Sequence, residues 1–283
     1  MSAEQLIEFL GKNYILIVVS MFLLFAVAEM IIPLNKGGRS VTFRWFTNIS
    51  VVLIIGFIFK LGGPAFALMT AWLTEVFGLG LFNNFSLSLG LVMLFGIVLF
   101  DFKQYLFHRM MHYFDVLWLV HRVHHSDIEV DLTTGFRFHP LESILSSFFD
   151  VVVIVVFGIP PETLLLRYML IYLVNFFTHA DIRIPSKLDH YLKSILITPS
   201  LHHLHHALDM RASNHNFGVI FSFWDRIFGT FMIDHPESGQ EIDVRGIDYG
   251  LRDYREPGKL NLALLMMMPF KKSQASQEES LNA

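Results

Sequence analysis

The residues best suited to chemistry in this chain are its histidines. All fourteen lie beyond residue 107, and most of them are grouped. His108-Arg109-Met110-Met111-His112 sets two imidazoles at i and i+4, on one face of a helix. His121-Arg122-Val123-His124-His125 and His202-His203-Leu204-His205-His206 both contain the spacing HxxHH. Residues three or four apart share a helical face, whereas adjacent histidines diverge by about 100° and can serve two ions. The three clusters supply eight candidate ligands, too many for one ion and suited to two. A lone histidine is ordinarily a satisfied surface residue; three spaced clusters on one side of a membrane are a different matter. Cysteine is absent, so donors must be nitrogen and oxygen, and imidazole suits Zn, Cu, Fe and Ni. No carboxylate stands at ligand spacing within the clusters, and an imidazole-rich two-metal centre is expected.

The elements that must position these clusters are apolar. The 283 residues are 53% apolar and 16% charged, with a mean hydropathy of +0.50, against about a quarter charged in ordinary soluble chains. A net charge of −4 offers no broad basic surface, and nucleic acid is excluded as a partner. Residues 13–32 are long enough to cross roughly 30 Å of hydrocarbon as a helix. Residues 46–61, with Lys60 snorkelling, and residues 81–100 are expected as further spans. Residues 64–79 are expected in the interface or packed on the spans. Residues 144–159 and 163–177 flank Pro160-Pro161-Glu162 and predict a helical hairpin whose ends share a side. His108 and His112 continue the third span, roughly 10 Å beyond Asp101 at helical rise.

Charge asymmetry predicts the orientation. Lys36, Arg39 and Arg44 follow the first span, while the connection between the second and third carries no Lys or Arg beyond Lys60, so the first loop is expected in the cytoplasm. Residues 101–142 and those from His179 onward then fall on the same face. The first twelve residues lack the pattern of a cleaved signal, so the first apolar stretch is expected to remain as an anchor. Residues 271–283 are expected to be a disordered tail. The expected fold class is all-α: a multi-span integral membrane helical protein with a cytoplasmic histidine-rich helical cap. Its expected parts are membrane spans over 1–100, a catalytic region over 101–235 that includes a membrane hairpin at about 144–178, and a C-terminal cytoplasmic segment over 236–283. The expected setting is a bacterial inner membrane with the site facing the cytoplasm, or the endoplasmic reticulum if the source is eukaryotic.

Several motifs occur in one order. Asp101 and Tyr105 lead into His108 and His112; His121, His124 and His125 follow; then comes Arg137-Phe138-His139-Pro140-Leu141-Glu142. His179 follows the hairpin, Thr198-Pro199 precedes His202, His205 and His206, and Asn216-Phe217-Gly218 and Trp224-Asp225-Arg226-Ile227-Phe228-Gly229-Thr230 close the series. In these residues, over roughly 101–231, the chain resembles the fatty acid hydroxylase and sterol desaturase superfamily of integral-membrane di-iron enzymes. The resemblance implies nine metal ligands: His108, His112, His121, His124, His125, His179, His202, His205 and His206. Asn175 stands where some members carry a tenth histidine. His139, Glu142, His203, Asn216 and Asp225 are candidates for holding those ligands in place, and Asp101 is expected to orient a ligand N–H. His190, His215 and His235 are expected to be structural or surface residues. Trp224 and Phe228 are equally suited to anchoring at the interface and to touching substrate.

The expected function is hydroxylation of a C–H bond of a lipid (fatty acyl, sterol or related) by two iron ions and O2. Zinc lacks the redox chemistry for this. Desaturation and ether-lipid monooxygenation use the same type of site and stay open. No dinucleotide, flavin or haem motif is visible, so an external donor, a ferredoxin or a b-type cytochrome with its reductase, is expected. Its docking surface would include Lys187, Lys193, Arg211 and Arg226, which equally fit ordinary positive-inside charges. From other classes, a zinc-dependent lipid hydrolase and a metal transporter are the alternatives; transporters place ligands near the midplane, whereas these clusters follow span ends.

Overall fold

The computed structural model describes residues 3–35, 41–60, 63–233 and 242–271. The first loop with Lys36 and Arg39, the Lys60 side chain, His235 and the tail from 272 lie outside the described residues. The first half is built from α1 (Ala3–Lys12), α2 (Tyr14–Ile31), α3 (Val41–Lys60), α4 (Gly63–Val76), α5 (Leu89–Tyr113) and α6 (Asp115–His125). The hairpin α7 (Pro140–Phe157) and α8 (Pro161–His179) follows, then the shorter α9 (Ser186–Lys193), α10 (Pro199–His205), α11 (Met210–Ser213), α12 (Phe223–Ile227) and α13 (Leu262–Met267). The described residues contain helices, turns and isolated bridges.

Among the described residues, three helices, α2, α5 and α7, are long and apolar enough to cross a membrane. α2 buries none of its side chains in the protein, as expected of a helix solvated by lipid. The expected second span forms α3, twenty residues long, with Arg44, Thr47 and Asn48 buried near its start. α8 is helical as expected, with Arg167 and Asn175 breaking its apolar run; Arg167 pairs with Asp150 of α7 at 3.0 Å. The expected start of the third span at residue 81 is wrong. Residues Phe82–Asn84 form a 3-10 turn, and Asn83 and Asn84 turn back to donate to Leu79 O and Gly80 O. Ser88 then caps α5 by accepting from Leu91 N, a better helix start than the apolar run before it.

The hairpin ends follow their sequence signals. Gly158 terminates α7 in the left-handed region at φ 72°, and Pro161 opens α8 at a position where its missing N–H is no loss. α4 packs on α7 through Ala67 and Ala71 against Val153 and Ile154. At the other end, α5, α6, α8 and α10 converge. The start of α3 and the end of α2 meet the same end, where Arg44 bonds Asp127 and Leu34 N donates to Asp181 O.

Candidate metal centre

Four helices bring nine histidines into two adjoining groups. His108, His112, His121, His125 and His205 form one; His124, His179, His202 and His206 form the other. Within each group, one ring nitrogen per residue lies within 4.8 Å of the rest. The division follows helical geometry. In α6, His121 and His125 sit at i and i+4 and face the five-membered group, while His124 points to the four-membered one. At α10 the allocation is reversed: His202 and His206 face the group of four, and His205 crosses to the group of five. Each HxxHH motif thus contributes to both groups.

Hydrogen bonds fix which nitrogen faces inward. His108 Nδ1–H donates to Phe217 O (2.9 Å), His205 Nδ1–H to His215 O (2.8 Å) and His112 Nδ1–H to Asn214 Oδ1 (3.2 Å). His121 Nδ1–H donates to the Glu142 carboxylate at 2.9 Å, and His179 Nδ1–H to Asn175 O at 2.9 Å. A carbonyl or carboxylate oxygen only accepts, so these five rings carry their proton on Nδ1 and aim the Nε2 lone pair into the groups. Nε2 of His108, His121 and His205 is buried without a hydrogen-bond partner. In the second group, His179 Nε2 lies 2.9 Å from His202 Nε2 and 3.2 Å from His124 Nε2, and His206 Nε2 lies 3.2 Å from His202 Nε2. Adjacent nitrogens around one ion with bonds of roughly 2.1 Å stand about 3 Å apart. Buried lone pairs that converge at this spacing fit a cation, and both groups could hold one.

Desolvation first, and neighbouring rings second, pull His124, His125, His202 and His206 far below the ordinary histidine value. Burial takes His205 down to about 3. Neutral imidazole is the ligating form.

The supporting residues divide into those that touch ligands and those that hold the segments carrying them. His203 Nε2–H donates to His179 O, and its Nδ1 accepts from Tyr249 O–H; both ring nitrogens face these partners, and the ring lies in neither group. His139 caps α7 by accepting from Leu141 N and donates from Nε2 to Met266 O. Asn175 serves through its carbonyl. Asp101 accepts from Ile220 N, Phe221 N and Trp224 Nε1; it holds the loop after Gly218 where a ligand N–H was expected. Asp225 accepts from Phe217 N, Gly218 N and Thr230 Oγ1, fixing the turn whose Phe217 carbonyl anchors His108. Asn216, at φ 57°, exchanges hydrogen bonds with Met232 backbone N and O.

Some contacting residues were not singled out from the sequence. Trp118 lies 5.0 Å from His112 and 5.4 Å from His125, ring to ring, and His112 is the one half-buried member of the nine. Phe138 stacks on His124 at 4.2 Å. Asn214 has no motif around it; Trp118, three residues before His121 and so on the same helical face, was findable by spacing. Replacing Glu142 with Ala strips His121 of its acceptor. Metal affinity of the five-histidine group should fall about 10- to 100-fold while helix content stays unchanged, as measured by equilibrium dialysis and circular dichroism.

Fold and site together define a helical membrane protein with paired imidazole pockets at one end of its bundle. The sequence model of the fatty acid hydroxylase family matches residues 93–230, just under half of the chain, and this segment contains all nine histidines. The chain is 32% identical over 160 residues to the alkylglycerol monooxygenase of Homo sapiens, covering 56% of this chain and 34% of that protein. It is 26% identical over 151 residues to the ornithine lipid hydroxylase OlsE of Rhizobium tropici (53% and 45%). It is 27% identical over 150 residues to the sphingolipid C4-hydroxylase sur2 of Schizosaccharomyces pombe (52% and 50%). The matched part thus spans between a third and half of these relatives' length. No solved structure matches the chain.

Proposed function

We propose that this protein is a membrane-bound di-iron oxygenase that hydroxylates a C–H bond of a lipid with O2 and electrons from an external carrier. The observation that carries the reading is the pair of adjoining pockets of five and four imidazoles. His108, His112, His121, His125 and His205 would hold one iron, and His124, His179, His202 and His206 the other. Iron at these positions supplies O2 activation and hydrogen removal from an unactivated alkyl carbon, which acid–base side chains alone cannot do. The chain's own residues set the conditions. Phe217 O, His215 O, Asn214 and Glu142 keep the Nδ1 protons of His108, His205, His112 and His121 on the outward side, so the lone pairs of these four rings stay directed inward. Burial of eight of the nine rings excludes bulk water. Trp118 and the half-buried His112 mark the side from which a substrate chain reaches the rings.

The relatives' printed activities on ornithine lipid and sphingolipid support a lipid substrate, and the likeness to alkylglycerol monooxygenase favours an ether lipid as a second reading of the same site. Residues 101–235 form the catalytic region, 1–100 supply the preceding helices and 236–283 the C-terminal segment. The distribution of Lys and Arg supports a site facing the cytoplasm, where a ferredoxin or b-type cytochrome would bring the electrons. The test is elemental analysis of protein from iron-replete cells, joined to lipid extraction after exposure to isotopically labelled O2. About two irons per chain and label in a lipid hydroxyl support the reading. Stoichiometric zinc, or hydrolysis without O2, overturns it.

A further inference from the structure

Helix α9 is turned inside out. Its charged residues Asp189 and Lys193 are buried and pair at 2.9 Å, and Ser200 Oγ donates to Asp189 at 2.8 Å. Its apolar residues face outward: Leu188 is 51% exposed, Tyr191 73% and, one turn beyond, Ile195 59%. These three are spaced i, i+3 and i+7 and form one stripe. Lys187, His190 and Ser194 form a second exposed face beside it. α9 is not isolated. Ser222 Oγ and Arg226 Nη2 of the α12 region donate to Lys193 O, and Ile227 and Phe228 at the end of α12 are exposed as well. α12 is in turn fastened to α5: Phe102 meets Trp224 at 4.7 Å and Phe228 at 5.9 Å, and Asp101 holds the preceding loop.

We propose that α9 and the end of α12 form a membrane-docking surface that lies in the headgroup layer of a phospholipid leaflet. Two observations select lipid as the occupant. The apolar patch is fastened to α5, whose Leu91, Leu94, Phe95 and Leu106 are exposed along a helix long and apolar enough to cross a bilayer. A basic residue, Lys187, and an amphipathic aromatic, Tyr191, flank the stripe, the composition that suits phosphates and the interface. Because the chain runs from His179 through α9 to His202, seating α9 fixes how far the four-histidine pocket stands above the acyl chains. This proposal concerns the membrane-bound chain and is independent of the metal and the reaction.

The natural absence of cysteine makes the test direct. Leu188→Cys, Tyr191→Cys and Ile195→Cys are made singly in the full chain, as is Arg245→Cys, a control on the exposed C-terminal segment whose side chain is 57% exposed. Each is labelled with an environment-sensitive fluorophore and reconstituted in phosphatidylcholine–phosphatidylglycerol vesicles. The expected result is severalfold stronger quenching of the three α9 labels by lipids carrying a nitroxide near the headgroup end of the acyl chain, and severalfold weaker quenching by aqueous iodide, than for the control. Iodide quenching equal to the control overturns the proposal, and so does shielding from both quenchers, which indicates a protein partner. Elemental analysis and turnover do not enter the readout, so a failed oxygenase reading leaves it standing.

Discussion

Replacing His205 and His206 together with Ala is expected to abolish metal binding at both pockets and all turnover. The two side chains are adjacent in sequence but serve different groups, so one double change removes a ligand from each. It also leaves the remaining inward lone pairs around an enlarged opening at the α10 end. Single changes should separate the pockets: His125→Ala lowers occupancy of the five-histidine group and His124→Ala that of the four. The measurement is iron per chain by elemental analysis, with thermal unfolding as a check that the bundle persists. Equal loss of both ions in every single variant would mean that the two pockets do not load separately.

The second large effect lies outside the pockets. Arg44, on α3, places Nε 2.8 Å from Asp127 Oδ1 and Nη1 3.0 Å from Asp131 Oδ2, with Glu129 at 3.2 Å. Asp127 also accepts from Asn48 and Thr134; burial alone would raise its pKa, but Arg44 and Arg137 beside it hold it well below the usual carboxylate range. Arg44→Ala removes the nearest cation from two buried carboxylates, leaving Asp127 with Arg137 Nη1 at 4.0 Å. Breaking such a pair costs about 3–5 kcal/mol, and the loop it frees begins directly after His124 and His125. Stability of the solubilised protein should therefore fall by that order, with partial loss of metal from both groups. Arg44→Lys keeps the charge but loses the two-pronged contact, and should fall between the two. A melting curve for Arg44→Ala that matches the parent would show that the network is solvated.

The clustered histidines were legible because ligand chemistry imposes spacing on a helix, and i, i+3 and i+4 patterns can be read locally. The hairpin was legible for the same reason: Gly158, Pro160 and Pro161 act on their own backbone. What was not legible depends on partners distant in sequence. Arg44 counted as a topological charge, and nothing near it announces Asp127, 83 residues on. Asp101 was expected to hold a histidine ring, yet it holds a backbone turn about 120 residues away, close to Trp224. The start of α5 escapes a hydropathy reading because Leu81, Phe82, Phe85 and Leu87 extend the apolar run toward its N-terminus, whereas Asn83, Asn84 and Ser88 determine the backbone there. Lys193, counted with the exposed cations of a donor-docking surface, is buried in an ion pair with Asp189.

The crossed allocation of the two HxxHH motifs also sets an order of events during synthesis. When α6 leaves the ribosome, five of the nine rings exist, but α8 and α10 do not. Roughly 80 further residues separate His125 from the last cluster, on the order of 4–16 s of translation at about 5–20 residues per second. During that interval the nascent segment is an incomplete chelator, and incomplete imidazole sites favour copper and zinc over ferrous iron. On the proposed di-iron reading, selection of iron over these metals falls to the moment when α10 closes the bundle, and it is helped by low free zinc and copper or by shielding of His108 to His125 until then.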